Sequence, residues 1–149
     1  MSSRPPRGGF FVSFDIESEK VMKADFPGAL AFVLQAEGGY SDDHDDPGGA
    51  TNLGIEQTEY NLWRRAEGLS VQSVKLITQA EASAIYAANY WSPVHCDYIE
   101  TPIAYALFNY SVNTGVSQSI KFLQGVLGIT QSGDWDSATS AAYWTWLQA

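Results

Sequence analysis

Cysteine and basic side chains are scarce in this chain of 149 residues, and a long apolar run is missing. The single cysteine, Cys96, rules out an internal disulfide and a zinc site built from several cysteines. The chain has only 8 lysine and arginine residues but 17 aspartate and glutamate residues. The resulting net charge of -9 argues against binding to nucleic acid. No apolar stretch approaches the roughly 20 residues that cross a bilayer, so we expect no membrane span.

Aromatic residues, by contrast, are plentiful: the chain has 5 tryptophans, 8 tyrosines and 7 phenylalanines. A disordered chain would carry fewer, and this composition is typical of one globular domain. We expect residues 1–25 to form an arm and residues 26–149 to form the domain. The apolar patch from Phe10 to Phe14 is too short for the core of a secretory signal, and no cleavage site follows it.

Apolar residues recur at helical spacing through most of residues 26–149. The first predicted helix carries Phe26, Leu30, Val33 and Leu34 on one side, and Gly38-Gly39 ends it. Further helices are predicted over about 56–66, from Thr78 through Trp91, from Thr101 to Gly115, around 120–127, and over 137–147. Between the first two lies a turn-rich segment, Tyr40 to Ile55, which favours a small hairpin or structured loop. The fold class is therefore α+β and mostly α-helical.

Two of these helices align residues on one face. The third begins with Thr78 and Glu81 at capping-box spacing and carries Ala84, Ala88 and Trp91 on one face. The fourth aligns its own apolar residues on one side: Ile103, Ala106, Leu107 and Tyr110.

The segment from Glu37 to Glu59 gathers seven acidic residues without a lysine or arginine among them. Unpaired carboxylates repel one another, so such a cluster is costly to assemble. On the helical wheel Glu37 points along the apolar stripe of the first helix, near its C-terminal end. A carboxyl group there is expected to have a raised pKa, which suits a general acid such as the one that cleaves a glycosidic bond.

Each feature of this segment has a structural alternative. Glu37 could be a solvated residue at a frayed helix end, and Asp46 before Pro-Gly is a common turn opener. The aspartates do not form a calcium loop, because Pro47 falls where that loop needs a ligand or a glycine. His44 and His95 lack a partner at metal-ligand spacing, and Cys96 is expected to be a buried thiol rather than a nucleophile.

The block Glu-Gly-Gly-Tyr at 37–40 followed by Asp-Pro-Gly-Gly-Ala-Thr-Asn-x-Gly-Ile at 46–55 resembles the signature of glycoside hydrolase family 108. Weaker matches follow at Ile85-Tyr86, Tyr90-Trp91, Ile103-Ala104, Leu107-Phe108 and Val112-Asn113-x-Gly115, so the resemblance spans about 26–139. It implies a lysozyme-like fold and a peptidoglycan N-acetylmuramidase that needs neither a metal nor a cofactor. The glycan strands of peptidoglycan would be its partner, and we expect a monomer.

The resemblance also implies roles for single residues. Glu37 matches the catalytic acid, and the spacing of Glu37, Asp46 and Thr51 is similar to the Glu, Asp, Thr triad of phage-type lysozymes, with Thr51 one residue early. Tyr40, Asn52 and Asn109 are expected at the substrate, and Asn113 is either a ligand for an N-acetyl group or a helix-end amide. Other aromatic candidates for a sugar cleft are more often core residues: Tyr60, Trp63, Tyr90, Trp91 and Tyr110.

The chain departs from the family pattern at two places. Asn109 stands where the family usually has an aspartate, and Asp134 replaces a glycine in a stretch that resembles part of a peptidoglycan-binding repeat, 115–149. Two other functions stay open: a lytic transglycosylase and a non-catalytic wall-binding protein. We expect synthesis in the cytoplasm, without a recognisable signal peptide, and action on the cell wall after release or export.

Overall fold

Six α-helices and one β-hairpin form the part of the chain that the computed structural model describes, residues 25–42 and 49–149. The predicted arm lies outside these residues except for Asp25. None of the helices in the described part is long and apolar enough to cross a bilayer. The elements are α1 (Phe26–Ala36), β1 (Thr51–Asn52), β2 (Ile55–Glu56), α2 (Gln57–Ala66), α3 (Gln79–Tyr86), α4 (Thr101–Thr114), α5 (Val116–Val126) and α6 (Ser137–Leu147). The mostly helical α+β class is thereby confirmed.

Helix ends fall where the local sequence supplies a cap or a break. Thr78 and Glu81 form the predicted capping box of α3, each side chain accepting the other's backbone N–H. The Asp136 side chain accepts the N–H of Thr139 at the start of α6. Gly115 separates α4 from α5 at a φ of 91°, a left-handed value that favours glycine.

The β-hairpin is short, and a second pairing extends it. Thr51 pairs with Glu56 and Asn52 with Ile55, and the turn between them places Leu53 and Gly54 at φ values of 52° and 75°. Thr51 also exchanges both backbone hydrogen bonds with Ser41, each 2.8 Å long. The chain that follows α1 is therefore tied to the hairpin, as the turn-rich segment predicts.

The core collects around Phe108 on α4. Its ring contacts Phe26 of α1 edge-on at 5.8 Å, Trp91 at 5.4 Å and Tyr86 of α3 at 6.3 Å. The predicted stripe of α1 is confirmed: Leu30 and Val33 are buried, while Phe26 and Leu34 pack against the core. Packing of α1, α3 and α4 on one aromatic centre fixes the end of α1 relative to α3.

The faces aligned by helical spacing in the third and fourth helices are buried only in part. In α3 the core side carries Ala82, Ile85 and Tyr86, while Ala84 and Ala88 are exposed. A methyl group gains little from burial, so the larger side chains decide the face. After Tyr86 the chain continues as a π-helical segment, Ala87–Trp91, whose wider turn rotates Trp91 toward that core side.

In α4 the buried residues are Ala104, Leu107, Phe108 and Ser111. Of the predicted stripe, only Leu107 is buried. Ile103 and Ala106 instead line an apolar surface groove with residues of α5 and α6, and Tyr110 is 40% exposed. Two apolar stripes run along this helix, and periodicity alone does not tell which one faces the interior.

A buried glutamine holds the loop between α5 and α6. The two N–H groups of the Gln124 amide are shared among three acceptors, Ser132 at 2.9 Å, the carbonyl of Asp134 at 3.0 Å and Thr139 at 2.8 Å. Its amide oxygen accepts the backbone N–H of Gly133 at 2.9 Å. Both polar atoms of the Gln124 side chain are thus hydrogen-bonded within the protein. The residues of the stretch that resembles a wall-binding repeat therefore stabilise the loop between α5 and α6.

Candidate active site

Glu37 lies just beyond α1, where the helix meets the hairpin. Its backbone is extended, with φ -83° and ψ 139°, and its N–H donates to the carbonyl of Val33 at 3.2 Å. The helical wheel therefore no longer describes this residue. Its side chain is nevertheless half-buried, because the hairpin approaches α1 from the side.

The closest approach to Glu37 is made by Gly54 in the hairpin turn. A Cβ atom added at Gly54 would lie 2.5 Å from Oη of Tyr86, 2.9 Å from Cγ of Glu37 and 3.0 Å from its Cδ. Any larger residue would collide with both side chains. The glycine of the Asn-x-Gly-Ile motif therefore leaves space for the side chains of Glu37 and Tyr86 on either side of the turn.

Tyr86 is held rigidly at this meeting point. Its side chain is 1% exposed, and its hydroxyl donates to the carbonyl of Leu53 at 2.9 Å. Burial, together with the negative charges of Glu37 and Glu59, raises the pKa of Tyr86 far above its usual value. The phenol is therefore neutral at any physiological pH, and Glu37 and Glu59 both act on it.

Of the two other residues of the predicted triad, Thr51 lies within the described residues and Asp46 does not. Thr51 is half-buried in β1, and its backbone pairing with Ser41 closes the loop that carries Asp46. Asp46 itself lies in 43–48, outside the described residues, as does His44. The pairing brings Thr51 to Ser41, four residues after Glu37.

Tyr40 and Asn52 flank this corner. The Tyr40 ring is 40% exposed, its hydroxyl donates to Asp42 at 3.2 Å, and the ammonium of Lys75 lies 5.1 Å from the ring centroid. Asn52 donates its amide to the carbonyls of Val74 and Lys75, at 3.2 and 3.3 Å. That amide anchors β1 to a short 3-10 turn, Val74–Leu76, and leaves its oxygen for other contacts.

Asn109 and Asn113 lie on α4 and are hydrogen-bonded to each other. The amide of Asn113 donates to the carbonyl of Asn109 at 2.7 Å, one helical turn earlier. This bond lies within α4 and does not connect Asn113 with α1 or the hairpin. Of the predicted substrate ligands, Tyr40 follows Glu37 by three residues and Asn52 precedes Gly54 by two.

Sequence reasoning missed a polar cluster beside Tyr86. Glu59 of α2 accepts a hydrogen bond from Asn89 at 2.8 Å and one from Tyr90 at 3.5 Å. The rings of Tyr86 and Tyr90 are 5.8 Å apart. The Tyr86 and Tyr90 motifs were visible in the sequence, but their approach to Glu37 and Glu59 depends on how α1, α2 and α3 pack.

The thiol of Cys96 is buried, as predicted, and lies apart from this chemistry. It donates to the carbonyl of Ala104 at 3.4 Å, and burial, with the nearby Asp97 charge, raises its pKa to about 12. The neighbouring His95 turns away and stacks on Trp135, with ring centroids 4.9 Å apart. A cysteine and histidine nucleophile pair is therefore not formed.

The fold has a counterpart among solved structures. The structure of Brucella abortus SagA is 36% identical to this chain, with a TM-score of 0.67, and the match covers 80% of this chain and 68% of SagA. The lysozyme-like fold is thereby confirmed. No protein with a curated description matches. Residues 30–115, more than half of the chain, match the family described as Glycosyl hydrolase 108, and the chain therefore belongs to this family of glycoside hydrolases.

Proposed function

We propose that the protein is a peptidoglycan N-acetylmuramidase, which hydrolyses the β-1,4 bond between N-acetylmuramic acid and N-acetylglucosamine. The observation that carries the proposal is the half-buried Glu37 carboxyl group, which sits against Gly54 and Tyr86 at the junction of helix and hairpin. Membership in a glycoside hydrolase family supports a glycan as the substrate. The block around Glu37 supports peptidoglycan, because it resembles the muramidase signature.

In the proposed reaction Glu37 donates its proton to the glycosidic oxygen as the bond to the anomeric carbon breaks. A water molecule attacks that carbon, and Asp46 accepts the proton that the water gives up. Thr51 orients the water from β1. Direct attack by water inverts the configuration at the anomeric carbon, so the first product formed is the α-anomer.

Substrate contacts in this proposal come from both sides of Glu37. Tyr40 offers an exposed ring to the apolar face of a sugar. Because a tyrosine side chain has few rotatable bonds, this contact costs little conformational entropy. The amide oxygen of Asn52 accepts a hydrogen bond from the sugar while its nitrogen stays on the 3-10 turn. Asn109 and Asn113 would bind a more distant sugar along α4.

Digestion of purified sacculi tests the proposal. We expect the wild type to release reducing ends and Glu37→Gln to lose at least about a hundredfold in rate, since the amide cannot donate the proton. Glu67→Gln, which removes the same charge from the exposed end of α2, is the control and keeps full activity. Near-wild-type lysis by Glu37→Gln would overturn the assignment.

Product masses separate this function from its two rivals. A hydrolase adds one water to each cleaved bond, whereas a lytic transglycosylase adds nothing and leaves an anhydro sugar. A wall-binding protein without activity would sediment with the sacculi and release no reducing ends. Only products that carry the added water agree with the proposal.

A further inference from the structure

An apolar groove opens on the surface between α4, α5 and α6. Its volume is about 250 Å³, and the described residues that line it are all apolar. Phe122, Val126 and Trp146 give it exposed walls, with 59%, 58% and 49% of each residue accessible. A benzene ring fits a cavity of about 150 Å³, so this groove has room for an aromatic side chain. Contiguous apolar surface of this kind is typical of a docking site.

The chain enters the described part of the molecule at α4, the helix that forms one wall of the groove. The backbone carbonyl of Asp25 accepts a hydrogen bond from the hydroxyl group of Tyr105 at 3.0 Å. On α4, Pro102 lies three residues before Tyr105 and Ala106 directly after it, and both line the groove. Residues three apart on a helix are neighbours on its surface. Residues 1–24 are therefore attached to the domain at a helix that lines the groove.

The apolar run at residues 10–14, Phe-Phe-Val-Ser-Phe, is close enough along the chain to reach the groove. Ten residues, 15–24, separate it from Asp25, and a chain of ten residues can extend to about 33 Å. The 14 residues of α4 are only about 21 Å long. A segment on a tether of this length has an effective concentration on the order of millimolar, so even weak apolar contacts hold it.

Charge favours this segment over a second copy of the chain as the occupant of the groove. Residues 1–14 carry Arg4 and Arg7 and no acidic residue, whereas the whole chain has a net charge of -9. Two copies would therefore repel each other, while the segment is attracted to the acidic domain. We propose that residues 10–14 dock in the groove between α4, α5 and α6, with their phenylalanine rings against its apolar walls. The proposal does not depend on the role of Glu37.

A spin label next to the segment tests the docking in the full chain. Ser18→Cys places a reactive thiol four residues after the apolar run, and Cys96 stays unlabelled because it is buried. With a nitroxide attached at position 18, we expect the NMR methyl signals of Ile103, Val126 and Leu127 to be lost and to return when the nitroxide is reduced. Equal signals in the two states would overturn the proposal.

Removal of the rings separates docking from mere proximity, since the label stays near the domain even on an undocked segment. Phe10→Ser/Phe11→Ser/Phe14→Ser keeps the length of the segment and both arginines but removes the apolar contacts. We expect the methyl signals of the groove to return in this variant while the nitroxide is still oxidised. Signals that remain lost would mean that the tether alone brings the label there, which contradicts the proposal.

A charge placed in the groove tests the other partner of the contact. Val126→Glu changes an exposed residue of the groove, so we expect the fold to persist and the signals of Ile103 and Leu127 to return. Leu62→Glu is the matched control, because Leu62 is a comparably exposed apolar residue that lies on α2, outside the groove. The control should keep the signals lost. The same signals in both variants would refute docking in this groove.

A mixture of two samples identifies an occupant that comes from another molecule. Spin-labelled protein without isotopes is mixed with isotope-labelled protein that carries no spin label. We expect every methyl signal to keep its intensity, because the segment docks on its own chain. Loss of the groove signals in the mixture would assign the groove to a second copy and overturn the proposal.

Discussion

At the scale of single residues, Gly54 is the position where the site tolerates least change. Alanine there would be strained at a φ of 75°, which costs about 1–2 kcal/mol of unfolding free energy, and its methyl group would collide with Tyr86 and Glu37. We expect Gly54→Ala to lose most of its activity on sacculi, because the Glu37 carboxyl group must move away.

Gly68→Ala is the matched control for this change. Gly68 has a φ of 71°, and an added Cβ there meets no atom within 4 Å. The backbone strain is therefore the same, but the collision is absent, so activity is retained once the melting temperatures have been compared. Equal losses of activity in the two variants would show that Gly54 matters for its backbone conformation alone.

The sequence identifies Glu37 but not the groups that surround it. Glu37 stands out because of its motif and its place at the end of an apolar helix, and both are local properties. Tyr86 is 49 positions farther along the chain, and its approach to Glu37 arises only when α1, the hairpin and α3 pack together. A single sequence carries no signal for such a contact, although the glycine at position 54 marks a place of close approach.

At the scale of elements, the start of α3 is held by a charged cluster that should respond to pH. Glu81 caps the helix, accepts a hydrogen bond from Tyr60 at 2.9 Å and pairs with Arg64 at 2.6 Å. Burial alone would raise the pKa of Glu81, but the bonds from Thr78 and Tyr60 and the Arg64 charge together hold it below its usual value.

The folded protein therefore gains stability when Glu81 is ionised. This gain is complete above the ordinary pKa of glutamate and is lost as the pH falls through the lowered pKa of the folded state. We expect Glu81→Gln to lose about 2 kcal/mol of unfolding free energy at neutral pH, measured by urea titration. The difference in unfolding free energy between this variant and the wild type should become smaller at acidic pH. Glu67→Gln should show neither effect, and a difference that is independent of pH would contradict the account.

Element boundaries were predicted well where a cap or glycine marks them, as at Thr78 and Gly115. Helical spacing did not identify which faces of the third and fourth helices are buried. The π-helical segment Ala87–Trp91 changes the turn angle, and helical periodicity assumes that this angle is constant. In α4, which of the two apolar stripes is buried depends on the helices that pack against it. That packing is a property of the whole fold.

At the scale of the whole molecule, the net charge of -9 must be reconciled with the proposed substrate, which is itself anionic. Peptidoglycan strands carry carboxylates, so the long-range force between this protein and such strands is repulsive. The charge of Lys75, which lies beside Tyr40, is outweighed at long range. Binding must then come from stacking and hydrogen bonds, which act only at contact and change little with ionic strength.

Ionic strength tests this balance. Raising the salt concentration from about 0.01 M to about 0.15 M shortens the Debye length from about 30 Å to about 8 Å, which screens the repulsion. We expect the initial rate of sacculus digestion to rise or stay constant over this range. With sacculi whose carboxyl groups have been amidated, the rate at low salt should already equal the screened rate, because the repulsion is gone. Strong inhibition by moderate salt would instead mean that attraction between opposite charges, centred on Lys75, governs binding.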